Sequence, residues 1–312
     1  MLLKASTLLV AVAVVVWIGL AIALTSGWQA PAAELAAKAT PWPAASYGWQ
    51  PISYANYLHT RRAVDHYTKY LEAQKATATS ATNTITGETL TKLLRDQATF
   101  DLATEHGVHM STADLDQAFT AEILQGGNSQ ETTKAINQLY GWTPTEFKNR
   151  ILRVVLMRAK LQEALAADTK LNGASKAQAE KVLALVQAGT QSFEDIAKAY
   201  SDDSYGAGGG DLGFFGRGQQ VKEIDDAAFS LAVGQTSDLI HSQYGWHVIK
   251  VTDKKTDQGQ EQVRAEEIFV AGPSVDDLIT KQLRSHRVLI FVPGWHWDAT
   301  SGQVTKNTAR KV

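Results

Sequence analysis

Three polar residues carry what chemistry this chain could perform: His247 in GWHVIKV, Asp203 in YSDDS and Glu267 in VRAEEIFV. The 312 residues include no cysteine, so there is no thiol nucleophile, thiolate metal site or disulfide framework. His106 and His109 flank Gly107 at a helix end and lack an HExxH frame, which leaves no metal site. No Ser-His-Asp set can be argued from local words. The glycines at 206, 208–210, 213, 216 and 218 set backbone shape and do not cradle phosphate, since no GxxxxGK[ST] follows a strand. What remains is non-covalent chemistry, an imidazole and carboxylates beside apolar side chains, with no cofactor. Each residue also has a plainer reading. His247 shares its strand face with Ile249 and Val251 and could be a satisfied core histidine. Asp203 sits in a turn where aspartate commonly binds local N–H groups, and Leu212 and Phe229 would be core in any fold.

The elements that must position these residues follow one another within 193–251. An amphipathic helix (Phe193, Ile196, Ala197, Tyr200) leads into the acidic turn 201–204. A glycine-rich strand entry follows at 208–213, then a short helix near 226–231 and an alternating strand at 246–251. A further strand, 263–270, is followed by a helix at 274–286 and a strand at 287–292.

This order and wording, FEDIAKAYSDDS through GGGDLGFFGRGQQ and DDAAFSL to YGWHVIKVTD, resembles a parvulin-type (PpiC, rotamase) peptidyl-prolyl isomerase domain. The resemblance is to the extracytoplasmic PrsA- and SurA-like foldases. It implies isomerisation of X-Pro bonds without a nucleophile, metal or cofactor. Carried over by position, the second histidine is His247, the loop acid is Asp203 and the first-histidine position holds Glu267. Leu212, Gln220, Ile224, Phe229, Ser242 and Tyr244 fall at substrate-binding positions. Gln220 stands where the family has a pocket Met and Ile224 where it has a Phe, which implies a more polar pocket with one aromatic wall fewer.

Parvulin domains ordinarily open with a strand reading roughly V-R-A-x-H-I-L-V. Here the helix that should follow is expected at 175–189, but residues 167–174 before it are polar and unpatterned, and those words come after the usual end, at 263–270. The expectation is a circularly permuted domain in which 263–270 returns antiparallel beside 246–251 through a polar loop at 252–262. An unrelated C-terminal strand is the alternative. If the permutation holds, Glu267 faces His247 across the strand pair and replaces a His–His contact by a charge-assisted one.

Upstream, helices are expected at 53–74, 88–106, 111–124, 131–140 and 145–166. Ser53, Ser111, Ser129 and Thr143-Pro144 supply starts, and 76–86 reads as a loop. This layout resembles the SurA-like helical chaperone domain. Before it, residues 5–24 are uncharged and apolar, long enough at about 1.5 Å per residue to cross a bilayer core of roughly 30 Å. A cleaved signal peptide is the alternative. Lys4 favours a cytoplasmic start.

The expected organisation is α+β: a transmembrane signal anchor (1–27), a linker (28–50), an all-helical domain (51–170), a permuted parvulin domain with an FKBP-like antiparallel sheet (171–299) and a disordered tail (300–312). A formal charge of −2 with no basic stripe argues against nucleic acid. The implied protein is a single-pass cell-membrane foldase whose domains lie outside the cytoplasm. Its implied partners are unfolded, proline-containing polypeptides. A non-catalytic holdase built on the same domains is the second reading.

Overall fold

The computed structural model describes residues 42–74, 84–124 and 128–307. Among them no helix is long and apolar enough to cross a membrane; the expected anchor lies outside the described residues. The chain forms two compact units, one of Met1–Met157 with Ile279–Val312, the other of Arg158–Leu278.

The first unit is mainly helical but not all-helical. Its strands β1 (Pro43–Tyr47) and β2 (Gln50–Ser53) form a hairpin turning at Gly48, whose φ is +56°. The expected linker therefore ends in ordered strand. β1 also pairs antiparallel with β7 (Val288–Ile290), giving the order β2-β1-β7. The segment assigned by sequence to the C-terminal end of the isomerase domain thus completes a sheet in this unit instead. Ser53 caps helix α1 (Tyr54–Ala73) by accepting from the Asn56 N–H at 3.2 Å. Helix α2 (Ile85–Glu105) carries Gly87 where a Cβ would lie 2.5 Å from the Val304 carbonyl oxygen and 2.7 Å from the Trp295 ring. Both belong to a second hairpin, β8 (Trp295–Asp298) with β9 (Gln303–Lys306), so the expected tail is ordered through that strand.

Helix α3 (Thr112–Ala118), the π-helical turn after it (Phe119–Leu124) and α4 (Ser129–Tyr140) bring Leu115, Phe119 and Ile136 together with Ala63, Trp142 and Leu152 in one core cluster. Thr143 opens α5 (Pro144–Phe147) with a capping box to Glu146. A π-helical turn, Lys148–Leu152, then leads into α6 (Arg153–Ala167).

In the second unit the polar stretch after residue 167 is helical. Asp168 accepts from the Lys170 and Leu171 N–H groups and starts α7 (Thr169–Ala188), so its side-chain cap outweighs the poor pattern. Helix α8 (Phe193–Tyr200) follows, then β3 (Asp211–Gly216), α9 (Lys222–Ser230), β4 (Ile240–Ser242), β5 (Gly245–Asp257) and β6 (Gln260–Ala271); α10 (Val275–Ser285) starts in this unit and from Ile279 belongs to the first.

The four strands form one antiparallel sheet in the order β3-β6-β5-β4. The register runs from Trp246 opposite Val270 to Val251 opposite Ala265, the pairing expected for 246–251 with 263–270. The connection is shorter than the expected loop, because both strands continue to a turn at Gln258 and Gly259, each with positive φ. Alternation divides the side chains between two cores. Val248, Ile268 and Val270 pack with Phe193 and Ile196, while Ile249, Val251, Val263 and Ala265 pack with Phe215, Ile224 and Phe229.

Candidate functional site

Period-2 alternation puts His247 on the same face as Ile249 and Val251, and Glu267 on the same face as Ala265 and Phe269. Directly across from His247 is Phe269, while Glu267 lies opposite Ile249. Glu267 is therefore the diagonal neighbour of His247, two pairs further along than expected. Its side chain spans the step: Oε1 lies 2.5 Å from His247 Nδ1. On the other side of the ring, Ser242 Oγ at the end of β4 is 2.7 Å from Nε2, and Ser242 also accepts the Tyr244 N–H at 3.1 Å.

All three side chains are buried, with 3%, 5% and 7% exposure for Ser242, His247 and Glu267. The Tyr244 N–H donates to Ser242 and Nδ1–H donates to the Glu267 carboxylate, while the direction of the Ser242–Nε2 bond follows the protonation of the ring. The order serine, imidazole, carboxylate resembles a hydrolytic triad. Burial of Ser242 denies its oxygen to a substrate, and both imidazole nitrogens are occupied. The His247 ring also packs tilted against Phe269, with 4.8 Å between ring centres and 30° between planes.

The acidic turn is fastened to the same strand. Phe269 N–H donates to Ser201 Oγ and the Asp202 N–H to the Phe269 carbonyl, while the Ala271 N–H donates to the Asp202 carboxylate. Asp203 accepts from the Ser201 hydroxyl (2.8 Å) and the Gly206 N–H (3.0 Å), so its carboxylate shapes the turn and is not bonded to His247. Gly210, with φ +86°, lets the following chain press onto the Glu267 backbone, where a Cβ would come within 2.2 Å of its carbonyl oxygen.

Of the apolar positions, Ile224 and Phe229 are core members and Leu212 packs partly buried against them. Gln220 is half-buried in the loop before α9, and Tyr244 is half exposed in the β4–β5 turn. Sequence reasoning missed four contributors. Phe269 packs on His247, Ser201 ties the turn to β6, Arg217 covers the Phe229 ring at 4.3 Å, and Asp225 receives the Gly218 N–H. Phe269 alone had a readable signal, since it lies two residues beyond Glu267 and so on its face. His241 stacks on Trp246 at 4.1 Å, and partial burial, with His247 nearby, pushes its imidazole below the ordinary range.

Residues 156–253 match the Rotamase family, described as the PPIC-type PPIASE domain. The foldase protein PrsA of Geobacillus sp. (strain WCH70) is 54% identical over 66 residues, which is 21% of this chain and 24% of that protein. The chaperone SurA of Bordetella avium (strain 197N) is 34% identical over 112 residues, 34% of this chain and 22% of that protein. The chain thus matches only about a quarter of the length of either relative. A crystal structure of Peptidylprolyl Isomerase (PrsA) from Bacillus cereus aligns over 76% of this chain and 81% of that one, at 18% identity and a TM-score of 0.25. The match over residues 156–253 falls almost wholly in the unit that holds His247, Ser242 and Asp203, and the chain carries a rotamase domain of the PPIC type.

Proposed function

We propose that this chain is a protein-folding factor whose second unit speeds cis–trans isomerisation of X-Pro bonds in unfolded polypeptides. The supporting observation is the buried Ser242–His247–Glu267 chain, continuous with the apolar face of Ile249, Ile224 and Phe229, inside a segment that matches the rotamase family. The uncatalysed amide barrier is roughly 18–20 kcal/mol, and rotation needs no bond made or broken in the polypeptide. A catalyst therefore has to hold the ring of proline against apolar side chains and favour the twisted amide over both planar forms. Leu212, Gln220 and Tyr244 are the substrate-touching side chains in this reading. His247 fixes the floor beneath them.

The domain is circularly permuted in this proposal. Its family match ends at residue 253, yet β6, the strand bearing Glu267, lies between β3 and β5 and reads V-R-A-E-E-I-F-V. A central strand supplied after the matched segment is what relocation of the first strand would give. The apolar stretch 5–24 supports a membrane anchor, with the folded units outside the cytoplasm.

The test is exchange NMR on Ala-X-Pro peptides with the purified full chain, beside the variants His247→Gln and Leu212→Ala. Enhanced exchange that falls in both folded variants establishes catalysis. Glu267 at a family histidine position favours a second reading, binding without catalysis. In that case the folded chain leaves exchange unchanged while suppressing aggregation of a proline-free client.

A further inference from the structure

Within the first unit, a cavity of about 430 Å³ is walled by Ile52, Leu93, Phe100 and Trp142, with Arg150 among its lining residues. That volume lies in the range of small-ligand sites, which combine apolar walls with a few directed polar groups. Arg150 sits in the π-helical turn Lys148–Leu152, a helix irregularity frequent at functional sites. Its Nη1 donates to Asn56 Oδ1 at 2.6 Å and Thr60 Oγ1 at 3.2 Å, and the guanidinium stands 5.8 Å from the Trp142 ring centre. All three partners are uncharged.

Glu146, one helical turn earlier, is committed elsewhere. Its carboxylate accepts from the Thr143 N–H and hydroxyl, both at 2.9 Å, and lies 3.1 Å from His59. Lys92 and Asp96, also in the cavity wall, pair with each other. Both hydrogens of Nη1 are thus used on Asn56 and Thr60. The Nε–Nη2 edge, which grips a carboxylate with two parallel bonds, has no partner among the described residues. Burial pushes the Arg150 pKa down, and the charge of nearby Glu146, which makes no hydrogen bond to it, offsets only part of that.

We propose that this cavity binds a polypeptide carboxylate flanked by an apolar side chain, with Arg150 as the anchor and Leu93, Phe100 and Ile52 receiving the apolar group. That the ligand is a polypeptide rests on the folding-factor reading; the carboxylate preference rests on the cavity alone. A chain-terminal carboxylate and a Glu side chain offer the same chemistry.

Isothermal titration calorimetry of the full chain with three probes tests the proposal: Ala-Ala-Leu-Phe free acid, its C-terminal amide, and amidated Ala-Ala-Glu-Phe. The free acid is expected to bind and the plain amide to bind roughly tenfold or more weakly, the size of a charge-assisted pair. Binding of amidated Ala-Ala-Glu-Phe as tight as the free acid assigns the site to any carboxylate, and its failure assigns it to chain ends. Arg150→Gln should erase the difference between acid and amide. Arg150→Lys, which keeps the charge but not the fork, should retain only part of it. Equal binding of acid and amide by the wild type, or no binding of any probe, overturns the proposal without needing a variant. Peptidyl-prolyl exchange measured on the same sample separates that failure from failure of the isomerase reading.

Discussion

Each unit buries polar groups beside an aromatic ring, but the two arrangements end differently. In the second unit the hydrogen bonds from Tyr244 through Ser242 and His247 terminate on Glu267, and every member is satisfied inside the protein. In the first, Arg150 leans on Asn56, Thr60 and Trp142 and keeps one edge of its charge unused. A closed polar chain fixes one geometry, because loss of any member strands its neighbours in a low-dielectric interior. An open one leaves interaction energy for something else to collect. The first pattern suits a floor that must not move and the second a site that must be filled.

The sharpest break in this contrast is Glu267→Ala, which strands the buried Nδ1–H of His247. It should cost about 3 kcal/mol in urea unfolding followed by circular dichroism. A cost near zero would mean the chain is not closed. Ser242→Ala removes one neutral hydrogen bond and leaves Nε2 unpaired, for which about 1–2 kcal/mol is expected in the same assay. Gly87→Ala tests a tight contact in the other unit. Its Cβ must push the Val304 backbone and Trp295 aside, at about 1–2 kcal/mol after the gain in helix propensity. Arg150→Gln should cost less than about 1 kcal/mol, since its hydrogen-bond partners are neutral and Glu146 acts on its charge only at a distance. A loss as large as that of Glu267→Ala would make Arg150 a structural residue.

The gentlest effect is at high pH. Burial, the largest cause, raises Tyr47 and Tyr54 from about 10 to about 12. Because the folded value lies above the unfolded one, their contribution is intact below pH 10 and lost as pH climbs toward 12. Ultraviolet titration of tyrosinate should show this delayed component, and its absence would mean the rings are solvated.

The pairing of 246–251 with 263–270 was legible through the resemblance, since 263–270 carries the wording of the parvulin first strand, which lies antiparallel beside the last strand in that fold. The meeting of Glu267 with His247 followed from it, although a carboxylate on a flexible stem bridges a diagonal that the words alone present as a direct opposition. β1 was not legible. Its residues, PAASY, lack the β-branched side chains that announce a strand, and its β7 partner is remote in sequence. The helix from 175 onward was expected, but its first turns at 169–174 were missed, because the Asp168 cap acts through one side chain and leaves no periodic trace. Arg150 was invisible for a related reason, since a π-helical turn shifts side chains off the 3.6-residue face that a pattern reads.

The pairing of β1 with β7 also sets a timetable. Tyr47 meets Val288, about 240 residues later in synthesis. At roughly 5–20 residues per second, the ribosome needs on the order of tens of seconds to deliver the partner strand. The rotamase unit emerges entire within that interval and can be folded before its neighbour has received its last strand. The nascent first unit must wait half-built, its sheet edge at β1 open, in the company of a finished rotamase unit on the same chain.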